Sequence, residues 1–283
     1  MIRKAFVETA HALVALLLCF GCTGADAETM LRIGGTGSAV GTAGALADDY
    51  ASMHPHVQPR IVGNLGTGGA LKALRAEALD VAIAARCLDE GERRSGLTEF
   101  PLSRTPLVFA AYGRVPLRGI SLEQAIRLYG GEQTTWPDGR RVRPILRPMN
   151  DTDTATLRAI SPAFDVAVLR GHAIKGLHTA ITDEDSIGAI ASTPGAFGTT
   201  TLAMLASSPL NVNMLLLDGV APSQKALSDG LYRLHKTFYI IVRAPVAPEI
   251  RQFLGFVSSE RGRDILMRHG QIPAAAATNP GLQ

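Results

Sequence analysis

Short unbroken apolar runs dominate the pattern of this chain. Residues 81–85 and 107–112 carry no charged side chain and are too short for a buried helix, so each predicts a strand covered on both faces. Between such runs the periodicity changes to helical. Residues 31–33 predict a strand, 39–53 an Ala/Leu-rich helix stopped by Pro55, 57–62 a strand, and 70–78 a helix. After Pro116 the alternation restarts. It gives a helix over 121–129, a strand over 143–147, a helix from Asp151 with further helical stretches to 192, and a strand over 196–200. Residues 212–217 and 238–242 predict strands, and 248–269 closing helices.

Alternation of this kind is α/β and predicts mainly parallel sheets flanked by helices. No internal repeat or low-complexity linker interrupts it. Two βα units without a flexible linker predict two lobes joined by chain crossings, near 111 and near 211. The expected division is residues 28–110 with 212–273 in one lobe, 111–211 in the other, and 274–283 as a flexible tail.

Composition removes several classes. The 283 residues are 46% apolar with a net charge of +3, which excludes a disordered or disulfide-framework chain. The charge forms no basic stripe, so no nucleic-acid partner is expected. The first 27 residues have the three-part layout of a secretory signal peptide. Arg3 and Lys4 precede an apolar run over 12–20, and Ala25-Asp26-Ala27 offers small residues for cleavage. That run is about half the roughly 20 residues a membrane span needs. A rival site, Phe20-Gly21-Cys22 as a lipoprotein signal, has Cys19 where leucine is usual. Cleavage after Ala27 leaves Cys87 as the remaining cysteine, which excludes an intrachain disulfide. At the end of an apolar run, Cys87 is expected to be a partly buried structural residue.

Candidate chemistry sits in loops that run from a strand into a helix: Gly34-Gly35-Thr36-Gly37-Ser38, Gly66-Thr67-Gly68-Gly69 and Asn150-Asp151-Thr152-Asp153-Thr154. The first N–H groups of a helix have no internal partner and its dipole is positive there, so three such loops can converge on one small anion. Each taken singly is also an ordinary βα turn with an N-cap. The dinucleotide-like spacing Gly35-x-Gly37-x-x-x-Gly41 fails, because the next strand ends Val62-Gly63-Asn64 without an acidic residue. No Gly-x-Ser-x-Gly elbow is present. His54-Pro55-His56 lacks a third ligand, and Asp183-Glu184-Asp185 reads better as the start of a helix than as a calcium site. No cofactor, metal or catalytic residue is expected.

In order along the chain, these segments resemble the phosphate-binding, PstS-type substrate-binding proteins of ABC transporters, within the type II periplasmic binding protein superfamily. The likeness runs from about residue 31 to 273. It is carried by Ile33-Gly34-Gly35-Thr36-Gly37-Ser38, by Gly66-Thr67-Gly68-Gly69-Ala70-Leu71-Lys72, by Asp80-Val81-Ala82-Ile83-Ala84-Ala85-Arg86, by Trp136, by Thr193-Pro194-Gly195-Ala196-Phe197-Gly198-Thr199 and by Leu217-Asp218-Gly219-Val220-Ala221-Pro222-Ser223. The chain departs from the family in two places. Ala84-Ala85 stands where Ser or Asp is usual. Arg147-Pro148-Met149-Asn150-Asp151-Thr152-Asp153-Thr154 replaces Arg-x-x-Gly-Ser-Gly-Thr, bringing carboxylates where donors are expected.

The resemblance implies a two-lobed, hinged binding protein that is exported to the periplasm and performs no chemistry. It would hold a small, phosphate-like anion and deliver it to an ABC transporter permease as a monomer. Thr36, Gly37, Ser38, Thr67 and Gly68 would be the donors, Arg147 a bidentate clamp, and Arg86, Asp151, Thr152, Asp153 and Thr154 would tune the ligand. Asp151 and Asp153 are expected to oppose a dianion, or to cap their own helix and fill the anion site from within. The alternative is an exported sensor or interaction protein of the same fold that has lost phosphate transport or binds another solute.

The leader reading carries its own test. Exported protein is expected to begin at Glu28, or at a lipidated Cys22 on the rival reading, and intact-mass measurement or N-terminal sequencing distinguishes them. A retained Met1 on exported protein would refute both.

Overall fold

The computed structural model describes residues 28–63, 65–208 and 210–275. The leader, the lipoprotein signal and most of the expected tail lie outside these residues. The first βα run is β1 (Thr29–Gly35), α1 (Gly37–Met53), β2 (Val57–Val62), α2 (Gly66–Arg75), β3 (Val81–Ala84) and α3 (Glu90–Arg94). A long strand β4 (Leu97–Tyr112) follows, then β5 (Gly119–Ile120), α4 (Leu122–Tyr129), β6 (Arg143–Leu146), α5 (Thr152–Ile160), α6 (Pro162–Ala173), β7 (His178–Thr179), α7 (Asp183–Ser192) and β8 (Ala196–Thr201). The chain continues through α8 (Leu202–Ser207), β9 (Val212–Met214), β10 (Leu216–Leu217), α9 (Gln224–Ser228), β11 (His235–Arg243), α10 (Pro248–Ser258), α11 (Glu260–Arg268) and β12 (Ile272–Pro273).

The main sheet runs β2-β1-β3-β11-β4-β8-β6-β7, with β9 and β12 also on β4. Outer pairs are parallel: β1 with β2 and β3, and β6 with β7 and β8. The pairs of β11 with β3 and β4, and of β4 with β8, are antiparallel. Side-chain parity then makes two cores. In the first, Ile33, Val81, Ile83, Phe238 and Ile240 point to one face under α1 and α10, while Ala82, Ala84 and Ile241 point to the other under α2. In the second, Leu107 and Phe109 pack with Tyr129, Trp136, Phe164 and Phe197, and Ala110 faces Ile145, Ile190 and Ala196 on the opposite side. Each fully buried aromatic there contributes roughly 1.5–3 kcal/mol.

One strand belongs to both cores. From Leu97 to Pro106, β4 pairs with β11; from Leu107 to Ala111 it pairs with β8. The apolar pattern revealed its second half alone, because Glu99, Pro101, Arg104 and Pro106 break the run in the first. A bulge at Leu102 accommodates Pro101, with Ser103 and Pro101 facing consecutive residues of β11.

The return passage also lies later than a boundary at 212 puts it. Val212–Met214 pairs with the second-core end of β4 and Leu216–Leu217 with β5, whereas β11 begins the pairing with the first core. Short helices from this stretch still lean on the first core: Ala203 is buried in it, and Gln224 donates to the carbonyls of Met267 and Gln271. The predicted closing helix over 248–269 divides at Ser259, whose hydroxyl caps α11 by accepting from Gly262 N–H. Cys87 is exposed, since β3 ends at Ala84 and the thiol lies in the loop beyond it.

Gly35 sets the position of the first loop. A Cβ there would stand 2.2 Å from the Ile83 carbonyl oxygen, so β1 approaches β3 this closely because the residue is glycine. Thr36 N–H then donates to Ile83 O at 3.0 Å, which starts α1 directly off the sheet. Gly35→Ala is expected to cost roughly 1–3 kcal/mol by forcing these strands apart. Urea unfolding measures it, and unchanged stability would show that the strands separate freely.

Candidate functional site

The strand-to-helix loops meet where the two cores face each other. A cavity of about 510 Å³ opens there. One side is Thr36, Gly37, Leu65 to Gly69 and Arg86; the other is Arg147, Asn150, Asp151, Thr152 and Thr182 to Glu184. Of the predicted site residues, Thr36, Gly37, Thr67, Gly68, Arg86, Arg147, Asp151 and Thr152 line this space. Ser38, Asp153 and Thr154 are buried beneath it. A larger hollow of about 840 Å³, lined by Arg141, Arg143, Lys175 and His178, draws on the second core alone.

Beneath the cavity lies a buried ionic cluster. Arg147, at the end of β6, is 6% exposed. It donates to Asp151 Oδ2 at 2.9 Å and to Ala180 O at 3.3 Å, and lies 3.6 Å from Asp183 Oδ1. Lys236, from β11, is 3% exposed and forms an ion pair of 2.6 Å with Asp153. Its ammonium also lies 3.7 Å from Asp183 and donates to Ser38 Oγ at 3.3 Å. Asp153 accepts from Thr199 Oγ1 at 2.9 Å, and Thr154 Oγ1 donates to the carbonyl of Arg147 at 3.1 Å.

The first anion loop is already occupied by a group of the chain itself. Asp183 Oδ2 accepts from Thr36 Oγ1 at 3.0 Å and from Ser38 N–H at 2.9 Å. Asp183 is the first residue of α7, so its carboxylate stands between the positive ends of α1 and α7. Filling of the site from within was expected of Asp151 and Asp153. Asp151 does cap its own helix, α5, through Asp153 N–H and pairs with Arg147, but Asp153 pairs with Lys236, and the donors of the first loop are taken by Asp183. In formal charge the cluster sets Arg147 and Lys236 against Asp151, Asp153 and Asp183, a net of −1. The amino ends of α1, α5 and α7, each worth about +0.5, offset that excess without an added anion.

The proton affinities follow from these contacts. Burial works against ionised Asp183, but Lys236, Arg147 and donation from Ser38 and Thr36 bring its pKa down to about 2. Burial opposes a charged Lys236 as well, yet Asp153, Asp183 and Asp151 hold its pKa above the ordinary lysine value. Burial pushes Asp153 up, because Asp151 and Asp183 add like charge to the effect of desolvation.

On the cavity's other wall, α2 begins without a side-chain cap and without an acidic residue in its first turn. Thr67 Oγ1 accepts from Ala85 N–H at 3.0 Å, so its own proton remains to be donated. The Ala84-Ala85 replacement therefore anchors this loop through the backbone. Arg86 lines the cavity but is held by Glu92 in a fork of 2.7 and 2.8 Å. Sequence reasoning missed Lys236 and Thr199 as site residues, and set Asp183 and Glu184 aside as a helix start.

Two α/β cores sharing a strand, with loops of both closing over one polar cleft, define the class of two-lobed binding proteins. The chain belongs to the family described as PBP superfamily domain, whose model matches residues 23–261. Among solved structures it is similar to a putative phosphate ABC transporter substrate-binding protein with bound phosphate from Clostridium perfringens, at 17% identity, covering 87% of this chain and 100% of that one, TM-score 0.74. It is also similar to an ABC-type phosphate transport receptor from Vibrio cholerae, at 18% identity, covering 86% and 99%, TM-score 0.60. A high-affinity periplasmic phosphate-binding protein, PfluDING, bound with phosphate, matches at 12% identity over 87% and 90%, TM-score 0.69. No curated protein matches the chain in sequence.

Asp183 is thus a structural anion joining the cores. Asp183→Asn is expected to cost about 3 kcal/mol at pH 7, as removal of one member of a buried ionic cluster does. The proton-linked part, roughly 2–3 kcal/mol, follows from the fall from 3.8 to about 2. Because the folded pKa is depressed, this part is complete above pH 3.8 and disappears as pH falls through about 2. Denaturant unfolding of wild type and variant across acid pH should show their difference shrinking there. A constant difference would mean that Asp183 charge does not hold the cores.

Proposed function

We propose that the protein is an exported solute-binding protein that captures a small oxyanion, phosphate or a relative, between its lobes and passes it to an ABC transporter permease. The supporting observation is the cavity at the junction of the cores. It joins the uncapped amino end of α2 with Thr67 and Arg86 on one wall to Arg147 and the α5 loop on the other. The lobes in this reading are residues 28–106 with 235–273, and 107–234, moving about β4 and the segment entering β11. Thr67, Gly68 and Arg147 are the proposed ligand contacts; Thr36 and Ser38 serve Asp183 instead. No helix among the described residues is long and apolar enough to cross a membrane.

The second reading, a sensor or interaction protein of the same fold, is favoured by one observation. Asp183 already satisfies Thr36 and Ser38 and bridges the cores, so closure needs no external anion. Pull-down separates the readings: a permease supports transport, another exported protein or cell-wall component supports sensing.

Gly68 provides a clean test of oxyanion capture. It is exposed in the cavity, and nothing lies within 4 Å of a Cβ added there. Gly68→Asp therefore places a carboxylate at the α2 amino end without a clash. It is expected to weaken phosphate binding at least tenfold while leaving the melting temperature unchanged or raised, and Gly68→Ala should bind as wild type. Thermal shift reads this directly, since a ligand at 100 times its Kd stabilises by about 2.7 kcal/mol. No shift with any oxyanion on wild type would refute the reading.

A further inference from the structure

The residues around the cavity have little positive charge left for a dianion. Its lining sets Arg86 and Arg147 against Asp151, Asp183 and Glu184. Glu92 occupies Arg86, while Asp151 and Asp183 share Arg147. Among the described residues, one lining carboxylate, Glu184, forms no ion pair. Glu184 lies against Gly37, where a Cβ would come within 2.5 Å of its Oε2. That oxygen is buried without a hydrogen-bond partner. An unsatisfied buried carboxylate oxygen is costly, and a donor carrying positive charge is the partner that best relieves it.

The opposite wall has the complementary need. The first turn of α2, with Gly66, Thr67, Gly68 and Gly69, has no side-chain cap and no acidic residue. Arg147 reaches the same cavity although it is nine-tenths buried, and its Nε has no hydrogen-bond partner. An oxyanion satisfies this wall as an ammonium group satisfies Glu184.

We propose that the cleft selects a small zwitterion, an ω-aminoalkyl oxyacid whose oxyanion meets the amino end of α2 and whose ammonium meets Glu184 and Asp151. This rests on the oxyanion-capture reading and deepens it. Inorganic phosphate fills only half of such a site and adds charge beside Asp151, Asp183 and Glu184. A zwitterion brings an opposite charge to each wall, which lowers the like-charge cost in a partly desolvated cleft.

Calorimetry with 2-aminoethylphosphonate, ethylphosphonate, inorganic phosphate and ethylammonium tests this on the purified exported protein. Wild type is expected to bind 2-aminoethylphosphonate at least tenfold more tightly than ethylphosphonate or phosphate. Glu184→Gln keeps the shape of the side chain and should bring 2-aminoethylphosphonate and ethylphosphonate to within about threefold of each other. Ethylphosphonate or phosphate binding as tightly as the aminated compound to wild type would overturn the zwitterion while leaving oxyanion capture standing. Ethylammonium binding equally well would overturn it in favour of a cation site. Binding of none of the four would remove the oxyanion reading and the zwitterion together. The wild-type affinity ratio decides even if Glu184→Gln fails to fold.

Discussion

The junction of the two cores depends on burying Asp183, Lys236, Asp153 and Arg147 together. Taking any one of these charges out of water alone would cost several kcal/mol. The group is tolerated because each charge meets an opposite charge or a helix amino end at contact distance. Asp183 has Thr36, Ser38, Lys236 and Arg147; Lys236 has Asp153 and Ser38. Lys236 and the α1 loop come from the first core, and Arg147, Asp153 and Asp183 from the second. The arrangement is complete only when the cores approach, so the ionic cluster and the closed cleft are one state.

That coupling changes what the loops can offer a ligand. A strand-to-helix loop with glycine, threonine and serine is a general anion receptor, and here Asp183 supplies the anion covalently. A tethered carboxylate avoids the translational cost that a free ion meets on binding, so an external monoanion competes at a disadvantage for Thr36 and Ser38. In the proposed reading, recognition of a solute falls to the amino end of α2, where Thr67 is fixed by Ala85 and no side chain caps the helix. The family fold is kept while its positive groups are partly satisfied from within.

Much of the framework was legible because it is written in short-range patterns. The strands over 57–62 and 81–85 and the helix over 121–129 stand where local periodicity puts them, whereas Gly66 to Gly69, read as a loop before a helix over 70–78, form the first turn of α2. The first half of β4 was not legible, since its prolines and charges are accommodated by β11 and a bulge that no local pattern shows. The site was readable loop by loop but not as pairings. Asp183 starts a helix, as its run of acidic residues implies, and its role as an anion for α1 arises from a contact spanning 147 positions. Lys236 had a weak signal: in β11 it shares parity with Phe238 and Ile240, so the strand's inward face carries a lysine. An inward lysine on a core strand requires buried carboxylates nearby, and Asp153 and Asp183 are those partners.

The same logic explains why departures from the family loop can be retained without loss of the fold. Asp151 and Asp153 would be unfavourable if left buried near each other, but each is absorbed by a separate cation, Arg147 and Lys236. Arg147 also holds the loop geometry, because Thr154 binds its carbonyl and Asp151 caps the helix that follows. In the proposed reading a change of ligand class acts through Thr67, Gly68 and Glu184, which line the cleft outside the ion pairs of the cluster. Substitutions in the floor alter the approach of the cores before they alter recognition.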